Sequence, residues 1–260
     1  MEVVIVPDAA TGGRLVAGAV AALLREHSSI VLGLATGSSP APVYDDLAAR
    51  HQRGELSLAG SRAFLLDEYV GLPPGHPESY RAVIEREVVA RLDLPGAAVR
   101  GPDGGATDLE AACRDYDATV RAAGVHLQLL GVGTDGHIGF NEPGSSLGSS
   151  TRLKTLTAQT RRDNARFFGG DPEAVPRHVL TQGIATILAA RHLVLLAWGE
   201  AKADAVAALV EGPLTAMVPA SALQLHPRAT VVVDEAAAAG LRLADYYRET
   251  WEGKPAWQRW

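Results

Sequence analysis

Short β-branched or leucine-rich runs alternate with alanine-rich segments of helical pattern along most of this chain. The runs stand at residues 3–6, 30–35, 63–66, 126–131, 192–199 and 230–234. They are apolar on both faces, which is typical of strands in a parallel sheet that helices cover on both sides. No Gly/Ser-rich or Pro-rich linker divides the chain, and we find no internal repeat. The sequence therefore predicts a single α/β domain over residues 1–250, with one open, mostly parallel, Rossmann-like sheet and helices on both faces.

Composition and charge narrow the function classes. The chain has 260 residues, of which 47% are hydrophobic and 21% charged, a globular composition that argues against disorder. With 24 Lys and Arg against 30 Asp and Glu, the formal net charge is −6. This balance lacks the broad basic field that non-specific nucleic-acid binding needs, so we expect no nucleic-acid partner. A local cationic pocket for a small anion stays compatible with it.

The N-terminus, the cysteine and the C-terminus each give a weaker indication. The N-terminus enters a short strand without a basic region or a long apolar run, and no apolar run reaches membrane-span length, so we expect a cytoplasmic protein without a membrane partner. Cys113 lies in an amphipathic helical pattern and is predicted to be a packed thiol. Three of the four tryptophans lie within residues 251–260, which predicts a tail that docks on its own domain or on a neighbouring subunit.

A serine-rich turn follows the second predicted strand. Ligands of open α/β sheets bind beyond the carboxyl ends of the strands, so residues at these ends are the first candidates for a site. Thr36, Gly37, Ser38 and Ser39 offer backbone N–H groups and hydroxyls, and Ser39 is predicted to cap the next helix. This chemistry suits a monophosphate, and an ordinary strand–helix turn is the alternative.

Two acidic residues follow the third predicted strand. Asp67 or Glu68 could face a pocket with little water, where desolvation would raise the carboxyl pKa and make it a useful base near neutral pH. A solvated acidic turn is the alternative. The Gly, Pro and His residues that follow predict a mobile loop or lid.

A glycine-rich segment follows the fourth predicted strand and formally matches the dinucleotide fingerprint at residues 131–136. That interpretation fails because Gly139, Asn141 and Pro143 break any helix that begins there. We instead expect a loop.

This loop carries two carboxylates around an imidazole, Asp135, His137 and Glu142. A histidine flanked by two carboxylates can be oriented by them and can move a proton at physiological pH. The scattered histidines match no metal-ligand spacing, so no metal site is predicted.

Basic residues on later segments could complete an anion site. Arg152, Lys154 and Arg166 lie in polar segments where most cations are solvated. Lys202 differs because it follows a predicted strand at the start of a helix, on the ligand side of the sheet. Two cations near the serine-rich turn would form a phosphate clamp.

The order of these motifs resembles the glucosamine-6-phosphate deaminase family, in the superfamily that also contains 6-phosphogluconolactonases. The matching motifs, in order from about residue 30 to residue 235, are LDEYVGLP, HPESY, GVGTDGHIGFNEP, SSTRLKTLT, RFF, VPRHVLT and LQLHP. The resemblance implies conversion of glucosamine 6-phosphate and water to fructose 6-phosphate and ammonia, without metal or organic cofactor. It implies ring opening by His137, held by Asp135 and Glu142, and proton transfer from C2 to C1 by Asp67.

The same resemblance implies a phosphate anchor made of Thr36 to Ser39, Arg166 and Lys202. Two alternatives stay open. A 6-phosphogluconolactonase would need no base for a C2 proton, and a non-catalytic sugar-phosphate sensor would need the clamp alone. Both a monomer and a homo-oligomer, hexamers included, stay open as well.

Allosterically activated members of the family bind N-acetylglucosamine 6-phosphate between subunits. The matching residues here are Ser145, Arg152, Lys154, Thr155 and, by a loose alignment, Tyr246. Two cations and two hydroxyls so close in sequence are compatible with a second phosphate site. A polar loop that serves subunit packing or shapes the active site is the alternative.

Overall fold

The computed structural model describes residues 1–255 and 258, and every predicted strand region forms a strand of one sheet. The bounds differ from the predicted ones by no more than two residues. The strands in the described residues are β1 Glu2–Val6, β2 Val31–Leu34, β3 Arg62–Leu65, β4 Asp67–Tyr69, β5 Val99–Arg100, β6 Leu127–Gly131, β7 Arg152–Thr155, β8 His178–Thr181, β9 Leu193–Ala197 and β10 Ala229–Asp234.

The large sheet has the order β1-β10-β9-β6-β2-β3-β5, and every pairing in it is parallel. The chain moves from β2 to β3 and β5 on one side, and from β6 to β9 and β10 on the other. The order therefore reverses between β2 and β6, which is where ligands bind in open α/β sheets. The central strands are buried on both faces, as their continuous apolar runs require.

A second, three-stranded antiparallel sheet with the order β4-β8-β7 was not predicted. Its strands are only three or four residues long, and β7 is half-exposed with alternating burial. Such short segments carry little periodic signal, so pairing with distant partners decides their conformation. Asp67 pairs with Thr181, which also pairs with Arg152, so this sheet joins three segments far apart in sequence.

Helices cover both faces of the large sheet. The α-helices in the described part of the chain are α1 Ala9–Glu26, α2 Ala41–Gln52, α3 Tyr80–Glu87, α4 Leu109–Ala123, α5 Ala158–Asn164, α6 Ile184–Ile187, α7 Ala203–Glu211 and α8 Ala244–Glu252. Local sequence sets several of their ends: Asp8 and Asp108 cap α1 and α4 through their side chains. Cys113 on α4 is a buried free thiol, which confirms its predicted packing role. Among the described residues, no helix combines the length and apolar character needed to cross a bilayer.

The predicted N-cap of α2 was wrong by one residue. Pro40 occupies this position, and no side chain caps the helix. Residues 38–40 form a turn instead, and the backbone of Pro40 accepts hydrogen bonds from Val43 and Tyr44. The Ser39 hydroxyl is consequently free of a capping role.

The last helix continues through residue 250 and ends at Glu252. Trp251 belongs to this helix and packs against the main core. The Lys254 ammonium lies over the Trp251 ring and is paired with Glu2 at the start of β1. The predicted docking of the tail onto its own domain therefore holds for these residues. Trp257 and Trp260 lie outside the described residues.

Candidate active site

Four adjacent strands deliver the predicted site segments to one edge of the large sheet. The neighbours β9, β6, β2 and β3 run parallel, so their carboxyl ends meet at the same edge. Lys202 follows β9, the glycine-rich loop follows β6, the serine-rich turn follows β2, and Asp67 follows β3. The topology thus places segments from residues 36 to 202 at one edge of the sheet.

Asp67 is buried at the start of β4, two residues after β3 ends. Burial raises the pKa of its carboxyl to about 8, and the neighbouring Glu68 carboxylate adds to the rise. Its Oδ2 faces the glycine-rich loop, since a Cβ on Gly139 would lie 3.4 Å from it. A carboxylate with this pKa is a suitable base near neutral pH.

Glu68 has a structural role that differs from that of Asp67. Because side chains alternate along a strand, it points away from Asp67, toward the first turn of α3. Its Oε1 accepts hydrogen bonds from the N–H groups of Tyr69 at 2.9 Å and Tyr80 at 3.0 Å, and its Oε2 accepts one from Arg81 at 2.9 Å. A carboxylate at a helix N-terminus is favourable, so Glu68 anchors the segment that follows β4.

The predicted histidine–carboxylate pair forms in the loop after β6. His137 Nδ1 lies 2.6 Å from Asp135 Oδ1, and the same oxygen accepts the His137 backbone N–H at 3.2 Å. This bonding lowers the pKa of Asp135. A Cβ on Gly133 would lie 2.2 Å from the imidazole, so only glycine leaves room for the ring. The loop contains no helix, which confirms the rejection of a dinucleotide fingerprint.

The second carboxylate expected beside His137, that of Glu142, bonds to a residue of another element. Glu142 is in the same loop, but no hydrogen bond or ion pair joins it to His137 in the described residues. Its Oε1 instead accepts a hydrogen bond from Thr160 Oγ1 on α5. Between His137 and Glu142 the chain turns, and an isolated antiparallel β-bridge joins Ile138 and Asn141.

The side chains of Asn141 and Thr181 hold the glycine-rich loop in place, a role that sequence reasoning missed. The fully buried Asn141 amide donates to the Ile138 and Gln182 carbonyls, both at 2.9 Å, and its Oδ1 accepts from Arg152 at 2.9 Å. Thr181 Oγ1 accepts the Phe140 N–H at 3.2 Å. A buried asparagine in a glycine-rich loop was the available signal, because such a side chain needs several hydrogen-bond partners.

The serine-rich turn is fixed against the neighbouring strands. Trp198 donates its indole N–H to the Ser39 carbonyl at 2.8 Å. A Cβ on Gly131 would lie 3.3 Å from Ser39 Oγ, so this hydroxyl sits beside the end of β6. Gly37 has a φ of 95°, a conformation that favours glycine. Thr36 to Ser39 therefore adjoin the loop that carries Asp135 and His137.

The two predicted clamp cations act on each other electrostatically. Partial burial lowers the pKa of Lys202, Asp135 counteracts this, and the Arg166 charge lowers the pKa further. Lys202 ends the 3-10 helix Glu200–Lys202 directly before α7, and Arg166 lies in the 3-10 helix Ala165–Phe167 after α5. Two like charges kept this close favour an anion between them.

Residues 9–233 match the model of a protein family described as "Glucosamine-6-phosphate isomerases/6-phosphogluconolactonase". The chain belongs to this family. A glucosamine-6-phosphate deaminase of Beutenbergia cavernae is 64% identical to it over 259 residues, covering 99% of both chains. One of Mycolicibacterium smegmatis is 60% identical with the same coverage.

Solved structures of family members have the same fold. A protein described as a monomeric glucosamine-6-phosphate deaminase matches with a TM-score of 0.88 and 41% identity, covering 92% of this chain and 100% of that one. A 6-phosphogluconolactonase of Thermotoga maritima matches with a TM-score of 0.68 and 20% identity, covering 90% of this chain and 99% of that one. The second similarity shows the fold alone.

Only some of the residues that match the effector site of activated family members lie on the same face of the same element. Arg152 and Lys154 share one face of β7, whereas Thr155 lies on the other face. Ser145 is buried, and its Oγ has no hydrogen-bond partner among the described residues. Tyr246 is exposed on α8, which packs against β1, whereas β7 packs against β8 and α4.

Proposed function

We propose that this protein deaminates and isomerises glucosamine 6-phosphate, giving fructose 6-phosphate and ammonia. The observation that carries the proposal is Asp67, a buried carboxyl with a pKa of about 8 that faces the loop of His137. Moving a proton between two carbons needs such a base, whereas lactone hydrolysis does not. Relatives described as glucosamine-6-phosphate deaminases, at 64% identity over 99% of both chains, support the same function.

The pyranose opens first, and we assign this step to His137. Its imidazole takes the proton of the anomeric hydroxyl and returns one to the ring oxygen, which leaves an aldehyde at C1. The hydrogen bond from Nδ1 to Asp135 fixes the ring orientation and stabilises the charged imidazolium between the two transfers.

Asp67 then moves the carbon-bound proton. Its carboxylate removes the C2 proton while O1 gains a proton that the C2 ammonium loses, which gives an enol-type intermediate, and Asp67 then returns its proton at C1. The product of this transfer carries an imine at C2. Water adds to the imine carbon, the carbinolamine collapses to the C2 ketone, and ammonia leaves. Water is the only co-reactant that this balance requires, so the proposal includes no cofactor.

The phosphate is anchored away from the reacting carbons. We assign this to Arg166, Lys202 and the turn from Thr36 to Ser39, at the ends of neighbouring elements. Binding energy from this remote group positions C1 and C2 against Asp67 and His137.

Ammonia release from glucosamine 6-phosphate tests the proposal directly. We expect stoichiometric ammonia and fructose 6-phosphate, with no turnover of 6-phosphogluconolactone. Lactone hydrolysis without ammonia would favour a lactonase, and saturable binding of the sugar phosphate without any turnover would favour a sensor. Either result would overturn the proposal.

For regulation, we propose that N-acetylglucosamine 6-phosphate activates the enzyme through Ser145, Arg152, Lys154, Thr155 and Tyr246. The support is that Arg152 bonds to Asn141 in the catalytic loop, and that the buried Ser145 hydroxyl has no partner in the described residues. The residues of β7 and Tyr246 of α8 belong to different parts of the domain, because these elements pack against different neighbours. One effector would contact both across a boundary between subunits, so this proposal includes a homo-oligomer.

Substrate saturation curves with and without the effector, together with light scattering, test the regulatory proposal. We expect the effector to lower the half-saturating substrate concentration, and Lys154→Ala to abolish this response while basal turnover persists. Hyperbolic kinetics from a monomer that ignores the effector would contradict the regulatory proposal alone. The cytoplasmic location stays a prediction from the sequence.

A further inference from the structure

Glu142 is held by a residue outside its own loop. Its Oε1 accepts a hydrogen bond from Thr160 Oγ1 in the middle of α5, eighteen residues further along the chain. Both side chains are partly buried, so water competes less for this bond than at an exposed surface. The contact therefore fixes the Glu142 carboxylate, whereas Asp135 and His137 of the same loop bond to each other.

A second threonine orients the Thr160 hydroxyl. Thr157 is the N-cap of α5, and its Oγ1 accepts the Thr160 backbone N–H at 3.1 Å. The two hydroxyl oxygens lie 2.9 Å apart. Because a carboxylate only accepts, Thr160 donates its proton to Glu142, and the Thr157 hydroxyl donates to Thr160. The result is a directed chain from the cap of α5 to Glu142.

The same helical segment carries other site contacts. Arg166 lies in the 3-10 helix that continues α5. Asn164 donates to the Tyr69 hydroxyl at 3.1 Å, which ties the end of α5 to the strand of Asp67. One short segment therefore touches the proposed phosphate anchor, the strand of the proposed base and the carboxylate of Glu142.

We infer that Thr160 is a positioning residue that sets the Glu142 carboxylate for the reaction through the Thr157–Thr160–Glu142 hydrogen-bond chain. The inference rests on the proposed function and on the part in ring opening that the family resemblance implies for Glu142. It adds that the orientation of Glu142 depends on α5, so that the residue that engages the phosphate, Arg166, and the residue that aligns Glu142 belong to one continuous segment.

Thr160→Val tests this assignment because valine keeps the side-chain shape and removes the hydroxyl. We expect kcat to fall about tenfold or more with KM within about twofold of wild type, as for a lost hydrogen bond to a charged group. Thr160→Ser keeps the hydroxyl and should restore kcat to within about threefold of wild type. Thr119→Val is the matched control, since the Thr119 hydroxyl donates to the Asp115 carbonyl within α4, and it should leave kcat unchanged.

A double-mutant cycle links the effect to Glu142. Thr160→Val should add little to the loss caused by Glu142→Gln if the two residues act as a unit. Additive losses, equal losses in Thr160→Val and Thr160→Ser, or wild-type turnover in Thr160→Val would each overturn the inference while ammonia release by the wild type stood.

Crystal structures give a readout that needs no turnover. We expect the Glu142 side chain to leave its position in Thr160→Val and to keep it in Thr160→Ser. An unmoved Glu142 in Thr160→Val would overturn the inference even if the wild type released no ammonia, in which case the proposed function would fail separately.

Discussion

The imidazole Nδ1 of His137 and the carboxylate Oδ1 of Asp135 lie 2.6 Å apart, two residues away from each other in one loop. The pair is local in sequence, but its geometry depends on Gly133, whose missing side chain leaves space for the ring. In the proposed mechanism the other ring nitrogen, Nε2, exchanges protons with the substrate. A carboxylate that accepts from Nδ1 defines which nitrogen carries the exchangeable proton.

Asp135→Asn should lower kcat for glucosamine 6-phosphate by about 10²-fold, because an amide cannot stabilise the imidazolium that forms during ring opening. Steady-state ammonia release measures the effect. Asp115→Asn, on the exposed face of α4, is the matched control and should behave like the wild type. Unchanged turnover in Asp135→Asn would show that the pair has no part in the chemistry.

Asp67→Asn keeps the size of the side chain and removes the base. Turnover should fall by roughly 10²–10⁴-fold with little change in substrate affinity. Exchange of the substrate C2 proton with deuterium from solvent isolates the step. If Asp67→Asn exchanged this proton at the wild-type rate, another group would have to be the base.

The raised pKa of Asp67 also predicts a stability effect with a definite sign. The folded-state pKa of about 8 lies above the ordinary value of 3.8, so the folded protein holds this proton more tightly than the unfolded chain. The stability that this tighter proton binding adds to the folded protein is complete below the ordinary pKa, and it is lost as the pH rises through the folded-state pKa. Asparagine cannot ionise and avoids this loss.

The free energy of unfolding of Asp67→Asn relative to wild type should therefore rise by about 2 kcal/mol between about pH 6 and about pH 9. Urea unfolding of both proteins at the two pH values measures the difference. A constant difference across this range would mean that Asp67 ionises in the folded protein at its ordinary pKa.

Lys202→Ala and Arg166→Ala should each lower kcat/KM for glucosamine 6-phosphate by about 10²-fold, since each removes a charge-assisted contact with the phosphate. Turnover of unphosphorylated glucosamine, measured in parallel, should change far less. Arg162→Ala removes an exposed arginine of the same helical segment, whose guanidinium donates to Gln159, and it serves as the control. Equal losses on both substrates would place the two cations outside the phosphate anchor.

The large sheet and most candidate residues were predictable because their signals are local. Apolar runs such as residues 193–197 bury both faces, and parallel strands place the residues that follow them at one edge. Lys202 and Asp67 were found on this reasoning alone. The glycines and Pro143 after β6 predicted a loop from backbone chemistry, and a loop forms there.

Tertiary structure decided what depends on partners far away in sequence. The second sheet exists because β8 pairs with β4, more than a hundred residues earlier in the chain, and with β7, and these short strands carry little periodic signal of their own. The separate placement of Asp67 and Glu68 follows from the same pairing, which buries the first carboxyl beside the glycine-rich loop and aims the second at α3. The sequence placed Glu142 in the loop of His137, whereas the Thr160 hydroxyl that bonds to its carboxylate is supplied by the packed α5, since a hydrogen bond requires a direction as well as proximity.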